Sequence, residues 1–158
     1  MTYRVGSAQG YYGDDVTRAL PMILGEHVDV VCFEALAELT LAILQKDKLR
    51  DPSRGFTFDI GIIASKILPE AYKRGIPLIT NGGGLNPRGA AQLAYETAQK
   101  MGLTGLKIAY VTGDDMSNRL EALLDDGETL ANIDTGEPLD PTSHHLVNAN
   151  VYMGAQPI

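Results

Sequence analysis

Short apolar runs alternate with longer stretches of helical spacing along the chain. Tyr3-Arg4-Val5 predicts a first strand, and Gly6 to Gly13 reads as a loop. Asp14 and Asp15 open a helix to about Leu24, with carboxylates in the first turn, where the helix dipole favours them. Pro21 inside that pattern kinks or shortens it. Val28 to Phe33 is apolar apart from Asp29, as expected of a strand buried on both faces. Ala35 to Lys48 predicts a helix with Leu36, Leu39, Ile43 and Leu44 on one face. Asp51-Pro52-Ser53-Arg54-Gly55 breaks it from a second helix, about Phe58 to Lys73, closed by Arg74-Gly75. Ile76 to Thr80 predicts the third strand, and Asn86-Pro87 starts a helix to about Met101. Lys107 to Thr112 predicts a fourth strand, and Ser117 the cap of a short helix.

From Gly127 the pattern decays. Asp134 to Pro138 and Asp140-Pro141-Thr142 read as turns, and Ala149 to Met153 as one more strand or as coil. Strands joined by helix-length connections require a parallel sheet with right-handed crossovers. The expected fold is a single α/β domain over residues 1–158, a Rossmann-like three-layer sandwich with a mainly parallel sheet.

In such a sheet, ligands bind outside the carboxyl ends of the strands. Four segments are expected there: Gly6-Ser7-Ala8-Gln9-Gly10, Glu34, Asn81-Gly82-Gly83-Gly84-Leu85-Asn86-Pro87, and Thr112-Gly113-Asp114-Asp115. The third is the most specific. Its glycines let backbone approach a ligand closely, and the helix behind them offers free N–H groups to a phosphate or carboxylate. Read without a ligand, it is a tight strand-to-helix turn capped by Asn86. The candidate ligand contacts are therefore Gly6, Ser7, Gln9, Gly10, Asn81, Gly82, Gly83, Gly84 and Asn86.

Glu34, Asp114 and Asp115 are the acid–base candidates, because carboxylates at strand ends can face one another across a cleft. The structural alternatives are a turn residue for Asp114 and dipole compensation for Asp115. Glu38 lies one helical turn after Glu34 and either shares its face or is solvated. Tyr11 and Tyr12 either wall the cleft or simply pack.

Composition narrows the possibilities. A net charge of −7 with scattered Lys and Arg argues against a nucleic-acid footprint. No apolar run reaches the roughly 20 residues of a membrane span. Cys32, the one cysteine, sits in an apolar run and reads as a buried thiol. With no leader before the first strand, these features predict a cytoplasmic protein. His144 and His145 are adjacent and have no further ligands spaced to complete a metal site. The first loop lacks the spaced glycine triplet of dinucleotide binders, and no Gly-Lys-Ser/Thr grips a phosphate, so no cofactor is assigned.

Ala37-Glu38-Leu39-Thr40-Leu41-Ala42, Thr80-Asn81-Gly82-Gly83-Gly84-Leu85-Asn86-Pro87 and Gly113-Asp114-Asp115, with Gly6 to Gly10 and Gly13-Asp14-Asp15 before them, resemble the N-terminal region of the acyclic terpene utilisation family. Members are associated with catabolism of branched acyl chains, including terpenoid acids carried as coenzyme A thioesters. The resemblance implies an N-terminal portion of a longer protein that binds an anionic small molecule, an acyl-CoA or a carboxylate. The expected reaction is that of a lyase of the hydratase type, with strand-end carboxylates moving protons and glycine-loop amides holding the carboxylate, phosphate or thioester oxygen; the competing class is a non-catalytic acyl- or nucleotide-binding or assembly module. Phe33-Glu34-Ala35 stands where family members often carry a Gly-Asp-Tyr-like segment. Apolar residues left near the terminus, such as Val151 and Met153, predict self-association or a partner subunit.

Overall fold

The computed structural model describes residues 2–25, 27–140 and 145–158. His144 and most of the turn expected at Asp140-Pro141-Thr142 lie outside the described residues. The chain forms two compact units, residues 1–110 and 111–158.

The first unit is a mixed α/β structure built on β1 (Val5–Gln9), β2 (Val30–Phe33) and β3 (Leu78–Thr80). Both strand pairs are parallel, in the order β1-β2-β3, with Val5 opposite Val30 and Cys32 opposite Ile79. A 3-10 turn (Val16–Arg18) and α1 (Ala19–Leu24) connect β1 to β2. The second connection holds α2 (Glu38–Arg50), α3 (Asp59–Ile62), a π-helical turn (Ile63–Ile67) and α4 (Leu68–Arg74). After β3 comes α5 (Pro87–Lys100).

Strand order explains how the layers are arranged. Right-handed crossovers that step always in one direction across a sheet place their helices on the same face; a doubly wound sheet needs the order to reverse. Here it does not reverse. Ala19 and Ile23 of α1 pack with Ile63, Ile67 and Ala71 of the second crossover on Ala8, Val31 and Phe33 of the sheet. On the opposite face Val5 is 62% exposed, Ser7 is exposed and Cys32 is only half-buried. The third layer of the expected sandwich is thus not seen among the described residues of this unit, and the Cys32 thiol is less buried than its apolar neighbours imply.

Local signals set most element ends. Asn86 accepts from the Gly89 amide at 2.9 Å and caps α5, with Pro87 at the first helical position. Gly75 closes α4 in the left-handed region. Pro21 does shorten the first helix, which runs only from Ala19 to Leu24 behind a 3-10 turn. The expected second helix is continuous from Asp59 to Arg74, but it carries the π turn. Pro69 has no N–H to offer Ser65 and crowds that carbonyl, so the turn before it widens.

Two expectations fail for tertiary reasons. In α2 the buried residues are Leu41 and Leu44, which pack with Leu85 and half-buried Leu36; Leu39 is 72% exposed and Ile43 is also exposed. The periodicity showed an apolar stripe but not which edge of it meets the glycine-rich loop. Residues 107–112 pair with no strand among the described residues, and Tyr110 and Val111 are exposed. A strand needs a partner edge, and apolar alternation alone does not supply one.

The second unit contains a 3-10 turn (Ser117–Arg119) and α6 (Leu120–Asp125). Ser117 is the first residue of that turn rather than its cap; the Asp115 carboxylate accepts from the Ser117 amide at 3.0 Å. Near Ala149–Met153 only an isolated antiparallel bridge forms, between Asp115 and Asn150.

Candidate functional site

The carboxyl ends of β1, β2 and β3 bear Gln9, Glu34 and Asn81, and hydrogen bonds join them. The Glu34 amide donates to the Gln9 carbonyl at 3.2 Å, and the Asn81 amide to the Phe33 carbonyl at 3.4 Å. The Asn81 side chain then bridges: its Nδ2 donates to Glu34 Oε2 at 2.6 Å, and its Oδ1 accepts from the Ala35 amide at 2.8 Å. The other Glu34 oxygen accepts from the Leu36 amide at 3.0 Å. Glu34 is exposed and held at both oxygens, a carboxylate oriented at the sheet edge.

A register shift between Ser7 and Gln9 turns β1 at its end. Ala8 and Gln9 are both buried in consequence, although they are neighbours in a strand. The bulge aims the Gln9 amide inward, where Nε2 donates to Asp59 Oδ2 at 3.0 Å. Gln9 is 3% exposed, and Thr57 and Asp59 are 1% exposed. Gln9 Oε1, Thr57 Oγ1 and Asp59 Oδ1 have no hydrogen-bond partner among the described residues. Burial holds the Asp59 carboxyl above the usual range; the Gln9 donor and the nearby Gly13 amide pull it down, and the Asp14 charge pushes it up. Burial also raises the Tyr12 phenol, opposed by the Phe58 backbone and reinforced by the charges of Asp59 and Asp47. The Tyr12 ring packs on Phe58, centroids 5.3 Å apart. Tyr11 is 65% exposed, so of the two tyrosines only Tyr12 packs at this site.

The glycine loop lies against this cluster. Thr57 donates its amide to the Gly82 carbonyl at 2.8 Å. A Cβ on Gly82 would stand 2.7 Å from Thr57 Oγ1, so glycine is needed for the close approach. Gly84, at φ 49°, is packed so tightly that a Cβ would meet Leu44 Cδ1 at 2.3 Å. Four of the loop amides are already used. Gly82 donates to Thr80 Oγ1, Gly84 to the Asn81 carbonyl, Leu85 to the Gly55 carbonyl and Asn86 to the Gly83 carbonyl. The helix start is likewise covered by the Asn86 side chain. A tight turn packed on its neighbours accounts for Gly82, Gly84 and Asn86; of the loop glycines, Gly83 is only half-buried.

The first loop divides in the same way. Gly6 lies inside β1, where a Cβ would stand 2.9 Å from Val28 Cγ1, so it serves packing within the layer. Gly10 and Tyr11 donate their amides to Asp14 Oδ2 at 2.8 and 3.3 Å. Ser7, Gln9 and Gly10 line an open hollow of about 410 Å³ with Asp14, Asp15 and Arg18. Arg18 is its one cation, 3.6 Å from Asp15.

In the second unit, Asp114 is half-buried and accepts from Asn150 Nδ2 at 3.3 Å. Gly113 turns the chain ahead of it at φ 117°. Among the described residues no group of three or more His, Cys, Asp or Glu is placed to hold a metal ion, and no helix is long and apolar enough to cross a membrane.

The expected contacts Gln9, Glu34 and Asn81 stand together at the sheet edge, and the buried Thr57 and Asp59 beside them were not among the expected residues. The available signal was Asp59 itself, a lone acid ahead of the apolar run Ile60 to Ala64. The molecule is an α/β protein with a parallel sheet and a polar cluster at its carboxyl edge. It belongs to the acyclic terpene utilisation family: the family model described as acyclic terpene utilisation family protein AtuA matches residues 3–158. No curated protein and no solved structure matches the chain.

Proposed function

We propose that this chain is a ligand-binding and catalytic domain of an enzyme in acyclic terpene utilisation. Its substrates are branched unsaturated acyl-CoA thioesters or carboxylic acids, and its reaction is hydration or the reverse elimination. The observation that carries the reading is the Asn81 bridge, which holds the Glu34 carboxylate at the sheet edge beside Gln9. Adding water across a conjugated double bond needs a base for the water and an acid for the neighbouring carbon. Glu34 supplies an oriented carboxylate for that proton transfer; within the second unit, Asp114 is the carboxylate we assign a functional role of its own. Ser7, Gln9, Gly10 and Asn81 contact the ligand; Gly83 is the part of the glycine loop best placed to join them. We read the sheet as part of a Rossmann-like three-layer sandwich in a cytoplasmic protein, with a partner subunit or a second copy over its apolar surfaces.

A binding or assembly module is the second reading. It is favoured by the carboxylates already occupied in the fold: Glu34 by Asn81 and Leu36, Asp14 by loop amides, and Asp115 by Ser117. A thermal shift screen with coenzyme A, acyl thioesters, nucleotides and dicarboxylates tests both, since a specific ligand raises the melting temperature by mass action. Stabilisation by unsaturated thioesters, with loss of their conjugated absorbance on incubation, supports the enzyme. Stabilisation without turnover supports the module, and stabilisation by nucleotides alone rejects the acyl reading.

A further inference from the structure

Among the polar side chains of the first unit, those of Gln9, Thr57 and Asp59 stand apart. All three are more than nine-tenths buried, and each leaves one oxygen without a partner among the described residues. They come from different places: Gln9 from the bulged end of β1, Thr57 and Asp59 from the turn into α3. Gln9 and Asp59 are joined by a hydrogen bond, Thr57 stands against Gly82, and Gln9 borders the open hollow. Buried polar groups are ordinarily paired, and each unpaired one costs about 1–3 kcal/mol. Three such oxygens gathered at the carboxyl edge of a parallel sheet form an expensive arrangement for packing alone.

We infer that Gln9, Thr57 and Asp59 form the binding point for one acyl oxygen, a thioester carbonyl or a carboxylate, with the Thr57 and Asp59 O–H groups donating to it. The inference rests on the acyl reading above and deepens it. Gln9 is the positioning residue: its Nε2 occupies Asp59 Oδ2 and leaves Oδ1 for the ligand. A donor pair of this kind lies where negative charge would grow on the oxygen of a conjugated acyl group under attack. Burial raises the Asp59 carboxyl, the direction that favours its protonated form. The charged and titratable groups facing Asp59 are Asp14 and, through its phenol, Tyr12. The Gly13 amide lies close to the Asp59 carboxyl.

The test uses dimethylacryloyl-pantetheine, a thioester with no group that ionises near neutrality, and follows its binding by calorimetry across pH. Wild-type affinity should fall as pH rises through the Asp59 titration. Asp59→Asn keeps a neutral donor and the Gln9 contact, so its affinity should be independent of pH. Thr57→Val retains the backbone bond to Gly82 and should weaken binding about tenfold, the scale of one lost hydrogen bond. Carboxyl NMR of wild-type protein covers the case of an unfolded variant: the Asp59 resonance should move when the thioester is added. Superimposable pH profiles for wild type and Asp59→Asn, an unchanged affinity in Thr57→Val, or a stationary Asp59 resonance would each show a purely structural cluster. If wild-type protein bound no thioester, the acyl reading itself would fail, and this inference with it.

Discussion

Gln9 donates to the carboxyl of Asp59 at 3.0 Å across 50 positions of sequence, and both side chains are almost completely buried. The bond joins the end of β1 to the start of α3, so the sheet edge and the second crossover share one polar contact. Gln9→Met removes the donor with little change of shape and strands the acid. It should cost about 1–3 kcal/mol in urea unfolding. Adding Asp59→Leu to that variant should recover part of the loss, because two apolar partners are cheaper than one orphaned acid. Losses that simply add would mean the two side chains are uncoupled.

Glycine substitutions sort by what a methyl group would meet. At Gly84 it would strike Leu44 and come within 2.9 Å of the Gly55 carbonyl, at a positive φ. Gly84→Ala should therefore destabilise by about 1–3 kcal/mol or more, as overpacked cores do. At Gly61, within α3, nothing lies within 4 Å, so Gly61→Ala should stabilise by about 0.5–1 kcal/mol. Paired melting curves check the order, and equal effects would refute the packing described for the loop.

The carboxylates divide the pH response. The folded state raises Asp59 above 3.8, so it holds that proton more tightly than the unfolded chain does. This contribution to stability is complete below about pH 3.8 and is lost as pH rises through the folded-state value. Hydrogen bonds from Lys73 and Arg74 lower Glu70, and hydrogen bonds from Thr17, Arg4 and Ser53 lower Asp15, Asp29 and Asp51. Their contribution is present above the ordinary carboxylate range and is lost as pH falls through the folded-state values. Asp59→Asn should flatten the fall on the neutral side while leaving the acid limb intact; an unaltered profile in chemical unfolding would count against a protonated Asp59.

The two adjacent acids of the second unit should differ. Asp115 accepts from the Ser117 amide at the start of the 3-10 turn, so Asp115→Ala should cost about 1 kcal/mol or less, the scale of an exposed helix-end contact. Asp114→Asn preserves an acceptor for Asn150 and should scarcely change the melting temperature. Given the proposed functional role, it should lower turnover of an unsaturated thioester about tenfold or more. Equal small effects on turnover from both variants would return Asp114 to a turn residue.

What the sequence determined by itself was local: the parallel α/β layout, the Asn86 cap with Pro87 behind it, the Gly75 helix stop and the break at Asp51 to Gly55. These depend on neighbouring residues and on backbone conformations that few residue types accept. Glu34 and Asn81 were visible too, because they follow directly on the expected second and third strands; Gln9 was expected in a loop, and β1 reaches it because pairing with β2 carries the strand beyond Val5. Tertiary structure decided the rest. Whether a loop amide is free to hold an anion depends on acceptors such as Gly55 and Thr80, which nothing in the glycine run announces. Which edge of α2 is buried depends on where Leu85 lies, and a fourth strand required an edge that residues 107–112 do not have. Asp59 shows the limit most plainly. Its burial depends on a β-bulge 50 residues earlier turning Gln9 inward, and long-range packing of that kind has no period to read.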